Sequence, residues 1–124
     1  MPLARSLDEN LSELKRRLGV GVTFDVLVRE LSVGGRDAAL IFIDGLIKDT
    51  ATVHVMKFLM RLRREDLAPQ PIKKLLRSGL PYFEVDTVST LEEVVDQVLA
   101  GPAALLVDGC TEAGILDLRE YPGR

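Results

Sequence analysis

The stretches AALIFIDG (Ala38 to Gly45) and AALLVDG (Ala103 to Gly109) constrain the fold of this 124-residue chain more than any others. Each is a short, nearly continuous apolar run closed by Asp-Gly. A run without polar residues at alternate positions reads as a strand buried on both faces. Such strands need other elements packed over them, and the flanking sequence supplies helices.

The segment SLDENLSELKRRLG opens with a capping box, Ser6 with Glu9 three residues later. Leu7, Leu11, Leu14 and Leu18 recur at helical spacing, with acids in the first turn and Lys15, Arg16 and Arg17 in the last. Gly19 can close the helix in the left-handed conformation. The spacing predicts a helix from Leu7 to Leu18 whose leucine stripe needs a partner surface. FDVLVREL (Phe24 to Leu31) and AALIFID flank Gly34-Gly35, the signature of a hairpin.

A second helix over roughly Ala51 to Arg64, capped by Asp49 or Thr50, carries too many apolar residues for one stripe. It is expected to be buried on more than one side or to lie at an interface. IKKLLRSG between prolines reads as a short helix, and YFEVDT as a strand. STLEEVVDQVLAG repeats the capping box as Thr90 with Glu93, and Leu91, Val94, Val95, Val98 and Leu99 form a core-facing stripe. AALLVDG and GILDLRE end the chain as a second hairpin. The order predicts a single small α/β domain: a mixed sheet of about five strands, two hairpins included, packed with helices.

At 124 residues the chain can hold a core without disulfides or metals. Cys110 is the only cysteine and His54 the only histidine, a poor basis for zinc. No metal or other cofactor is expected. The net charge of −3 does not favour nucleic acid. The N-terminus lacks an apolar signal segment, and no apolar run approaches the roughly 18 residues of a membrane span. Catalytic arrangements are missing: Cys110 has no basic neighbour in sequence, and no serine sits in a nucleophile elbow. SVGGRD lacks the lysine and following helix of a phosphate loop.

Charge is unevenly spread. Between residues 57 and 77, Lys57, Arg61, Arg63, Arg64, Lys73, Lys74 and Arg77 meet only Glu65 and Asp66, leaving that segment at +5 and the remainder at −8. Lys57, Arg61, Arg64, Lys73, Lys74 and Arg77 form a candidate interaction patch for anionic lipid head groups or an acidic partner face. A solvated helix end beside a loop is the plainer alternative. Asp44-Gly45 and Asp108-Gly109 also have two readings. Asp-Gly is a common turn pair. If the two strands ran parallel and adjacent, however, both carboxylates could face one crevice and bind a small ligand.

Taken together, SLDENLSELKRRLG, RELSVGGRDAALIFIDGLIKD, PYFEVDTVSTLEEVVDQVLAGPAALLVDG and LDLREYPGR resemble the N-terminal region of the GerA family of bacterial spore germination proteins. The run from Tyr82 to Gly109 with the YPGR ending is most similar to the stage V sporulation protein AF branch. The resemblance implies a longer protein, with two small α/β subdomains followed by several membrane helices. This chain would be the first subdomain, on the cytosolic (core) side of the spore inner membrane. It implies no enzymatic activity, and as partners other germination membrane proteins, the rest of its own chain and further copies of itself. The two Asp-Gly pairs match family strand exits and are expected to be structural turns.

Overall fold

The computed structural model describes residues 1–19, 25–45, 47, 49–67, 72–80 and 83–118. Among them five strands form one sheet: β1 (Val26–Val33), β2 (Arg36–Ile43), β3 (Val85–Val88), β4 (Ala103–Val107) and β5 (Ala113–Leu116). Its spatial order is β1-β2-β4-β5-β3. The helices are α1 (Leu7–Leu18), α2 (Asp49–Arg61), the single turn α3 (Arg64–Leu67), α4 (Ile72–Gly79) and α5 (Leu91–Ala100).

The α/β class, the five strands and both hairpins match the sequence expectation. The sheet is not mixed, however: every neighbouring pair is antiparallel. The reason lies in where β5 goes. β3 and β4 run in the same direction across the crossover helix α5, but β5 folds back between them and pairs with both. The parallel relation therefore exists without a parallel ladder.

β2 and β4 are the central strands, and their side chains alternate between two cores. Leu40, Phe42, Leu105 and Val107 join the core beneath α2 and α4, with Val55, Leu59 and Leu76. Ala39, Ile41, Ala104 and Leu106 join the core beneath α1 and α5, with Leu7, Leu11, Leu14, Leu18, Val94 and Val98. The result is three layers, helices over both faces of the sheet. Full burial of each α1 leucine is worth about 2 kcal/mol, which is what holds that helix down.

Local signals explain where elements start and stop. The Ser6 hydroxyl accepts the Glu9 N–H, and Gly19 ends α1 in the left-handed region at φ 64°. Thr90 accepts the Glu93 N–H at the start of α5 (3.2 Å). Gly34 and Gly35 both have positive φ, as a tight hairpin turn between twisted strands requires. Asn10, a buried polar side chain, is satisfied by the Ala4 backbone, accepting its N–H (2.9 Å) and donating to its carbonyl (2.8 Å). The predicted start of β1 at Phe24, the Tyr82 end of the third strand and the chain beyond Leu118 lie outside the described residues.

The second helix departs from expectation. It ends at Arg61, and a break at Leu62 and Arg63 precedes α3. Only Ala51, Val55 and Leu59 are buried, one narrow stripe rather than several sides. Val53 and Met60 are exposed at 52% and 64%. α2 is locked to α4 by close approach: the Phe58 ring occupies the space that a Cβ at Gly79 would fill.

Two predictions follow from this packing. Gly79→Ala should destabilise the domain by about 1–3 kcal/mol through overlap with Phe58, and the loss should largely vanish in a Phe58→Ala background. Chemical denaturation of the four variants checks it; additive losses would show that the two residues do not share the site. The second concerns Glu92, which accepts from the Met1 amino group (2.6 Å) and from Arg17 (2.7 Å). Those partners lower its pKa to about 2, the amino group contributing most. A carboxylate depressed in the fold stabilises above its ordinary pKa and loses that contribution as pH falls through the folded value. The melting temperature should thus decline between pH about 4.5 and about 2, and Glu92→Gln should flatten that part of the profile.

Candidate functional site

The two Asp-Gly pairs end adjacent strands that run in opposite directions. Ala38 pairs with Val107 and Ile41 with Ala104, so Asp44 leaves one end of the sheet and Asp108 the other. The Asp108 N–H donates to the Asp37 carbonyl (2.8 Å), which places Asp108 seven residues of strand away from Asp44. At strand rise that is about 23 Å. No single crevice holds both carboxylates, because the parallel, adjacent arrangement a shared site needed does not occur.

Each pair does separate local work. The Asp44 N–H donates to the Asp25 carbonyl (2.7 Å), and Gly45 takes φ 86°. Asp108 reaches further: its Oδ1 accepts the Leu7 N–H (2.9 Å), while the Gly109 N–H donates to the Arg5 carbonyl (2.7 Å). The N-terminus of α1 is therefore capped twice, by Ser6 from its own chain direction and by Asp108 from the end of β4. An anion at that end of a helix also meets the positive pole of its dipole.

The basic residues fall on three helices. Lys57 and Arg61 lie on α2, Arg64 starts α3, and Lys73, Lys74 and Arg77 lie on α4; all but the half-buried Lys73 are exposed. α2 and α4 both cover the core on the same face of the sheet. Lys73 is ion-paired with Asp86 of β3 (3.1 Å). The Thr87 N–H and Lys73 both lower the Asp86 pKa, and Arg77 adds to this from further off. Lys73, Lys74, Arg77 and Ser78 line a shallow depression of about 420 Å³.

Beside that patch lies a groove the sequence did not reveal. Arg77, Phe83, Glu84, Asp86, Gln97 and Asp117 line a space of about 600 Å³ where β3 begins and β5 ends. Its acids come from positions joined only by register, with the Asp117 N–H donating to the Glu84 carbonyl (3.0 Å). Among the described residues no three His, Cys, Asp or Glu side chains are grouped closely enough to hold a metal. His54 stands on the exposed side of α2 with its ring tilted towards Phe83, centroids 6.3 Å apart. Cys110 follows the β4 turn, half-buried against the core beneath α2 and α4.

Residues 12–124 match the model of the Bacillus/Clostridium GerA spore germination protein family. The chain belongs to the GerA family. It is 33% identical over 120 residues to stage V sporulation protein AF of Bacillus subtilis, covering 97% of this chain and 24% of that protein. It is 29% identical to spore germination protein KA of the same organism, covering 90% of this chain and 21% of the relative. The chain thus spans about a quarter of the length of these curated relatives. Its fold matches the crystal structure of the N-terminal domain of the A subunit of the Bacillus megaterium spore germinant receptor GerK3, with a TM-score of 0.72, 19% identity and 98% of each chain covered.

Within this GerA-family domain, Asp108→Ala should lower stability by about 1 kcal/mol through the lost cap on α1. Asp44→Ala, at an exposed turn, should stay within about 0.5 kcal/mol. Thermal or urea unfolding of the two variants distinguishes them; equal effects would remove the capping role from Asp108.

Proposed function

We propose that this chain is the first cytosolic subdomain of a longer, membrane-anchored germination protein, and that it acts there as a non-enzymatic interaction module. Family membership and the four-fold greater length of the curated relatives support the placement. Among the described residues no helix is long and apolar enough to cross a membrane, so the anchor would lie in other segments of such a protein. The partners are the remainder of the protein's own chain and other germination proteins.

One observation carries the interaction role: Lys57 and Arg61 of α2, Arg64 of α3, and Lys74 and Arg77 of α4 are all exposed on the helices that cover one face of the sheet, and Val53 and Met60 of α2 are exposed among them. A ligand site shared by Asp44 and Asp108, the competing idea, has no geometric support, since the strand directions keep them apart.

Replacing Arg61, Arg64, Lys73 and Lys74 by Glu in the full-length gene should slow spore germination severalfold while the domain's circular dichroism and melting temperature hold. Because Lys73 bonds Asp86, a companion variant keeps Lys73 and reverses the other three. Normal germination in both variants would remove this face from the protein's function.

A further inference from the structure

We infer that the outward face of the α2–α4 layer seats on an anionic lipid surface, which names the partner of the interaction face and rests on that proposed role. The pattern on α2 points this way. At 100° per residue, Val53, Lys57, Met60 and Arg61 fall within an arc of about 100°. Ala51, Val55 and Leu59, which anchor the helix to the core, lie on the opposite side. The exposed stripe therefore alternates cations with bare apolar side chains, and Val53 and Met60 are two of the four large hydrophobics exposed among the described residues.

α4 extends the same surface. Lys74, Arg77 and Ser78 are exposed beside Lys73 around the 420 Å³ depression, which has the cationic and hydroxyl lining that a phosphate head group matches. The Phe58–Gly79 contact holds α2 and α4 as one unit, so both helices can meet a flat surface together.

Acids temper the face without cancelling it. Asp49 begins α2, Glu65 and Asp66 lie in α3, Asp86 pairs with Lys73 (3.1 Å), and Glu84 and Asp117 line the groove beside Arg77. The Asp66 carboxylate turns back to accept the Arg63 N–H (2.8 Å), and among the described residues Lys57, Arg61, Arg64 and Lys74 are ion-paired with no acid. The interleaved Met60 and Val53 suit the boundary between head groups and acyl chains, where a basic, partly apolar helix face lies in the plane of the membrane. Each cation near an anionic leaflet multiplies binding about fivefold.

The test uses the 124-residue chain, whose two cores are built within itself. It is sedimented with vesicles of phosphatidylcholine alone, or of one part phosphatidylglycerol to two parts phosphatidylcholine. Binding is expected to the anionic vesicles only, weakening as salt rises. The variant Lys57→Glu, Arg61→Glu, Arg64→Glu, Lys74→Glu should bind at least tenfold less. Val53→Ser with Met60→Ser should bind severalfold less at unchanged charge. Melting temperatures first establish that each variant folds. No binding to anionic vesicles, or binding indifferent to charge reversal, overturns the lipid assignment. Should the reversed spores still germinate slowly in that case, the interaction face stands with an acidic protein as its partner. Should they germinate normally, both fall together.

Discussion

The pairing of β2 with β4 is the contact on which the rest of the structure depends. Its register places Ala38 opposite Val107, Ala39 opposite Leu106, Leu40 opposite Leu105 and Ile41 opposite Ala104. Opposed residues share a face, and in three of the four pairs a small side chain meets a large one. The volume on each face is thereby kept even, so a helix can lie flat against it. A slip of one residue would exchange the two cores wholesale, since side chains alternate with a period of two. The strands flanking this pair follow from it: β1 is bound to β2 by the Gly34-Gly35 turn, and β5 to β4 by the Asp108-Gly109 turn.

That pairing also resolves the near-repetition of AALIFIDG and AALLVDG. The repeat is one of burial. Both strands occupy the middle of a three-layer domain, so both are apolar throughout. Both must then leave the sheet abruptly, and Asp-Gly makes that turn: Asp bonds nearby backbone, and Gly supplies positive φ, 86° at Gly45 and 89° at Gly109. Antiparallel neighbours send the two exits to opposite ends. Equal sequence here reports equal surroundings, while the added role of Asp108 as a cap for α1 comes only from the fold.

Much of this architecture was legible because its signals are local. Helix starts at Ser6 and Thr90, the helix stop at Gly19 and the hairpin at Gly34-Gly35 are set by residues within four positions of one another. What escaped depends on residues far apart. The insertion of β5 between β3 and β4 is a choice of neighbour that periodicity does not encode, and it turned an expected mixed sheet into an antiparallel one. The groove at Arg77, Glu84, Asp86 and Asp117 exists only through β3–β5 register. For α2 the surplus of apolar residues predicts burial on more than one side or a place at an interface; the domain buries one stripe and leaves Val53 and Met60 exposed, which excludes only the first. Hydrophobic content sets what a helix could bury; the sheet beneath decides how much it does.

The two helical layers differ in how completely the domain uses them. α1 buries five residues and is capped from two sides, and α5 lies beside it across the sheet centre. α4 buries only Leu76, and it comes close enough to do so because Gly114 of β5 lies beneath it, where a Cβ would stand 2.7 Å from Leu76 Cδ1. With Leu76 the one fully buried side chain of α4, Lys74, Arg77 and Ser78 stay exposed for other contacts. The same layer carries the local surplus of cations between residues 57 and 77 and the exposed Val53 and Met60. Stability does not require that combination: fewer like charges on neighbouring helices would repel less, and polar residues would solvate better. Apolar exposure and a surplus of cations on the least internally committed layer suit contact outside the domain, which is why we propose the interaction there and not at the paired, capped ends of the central strands.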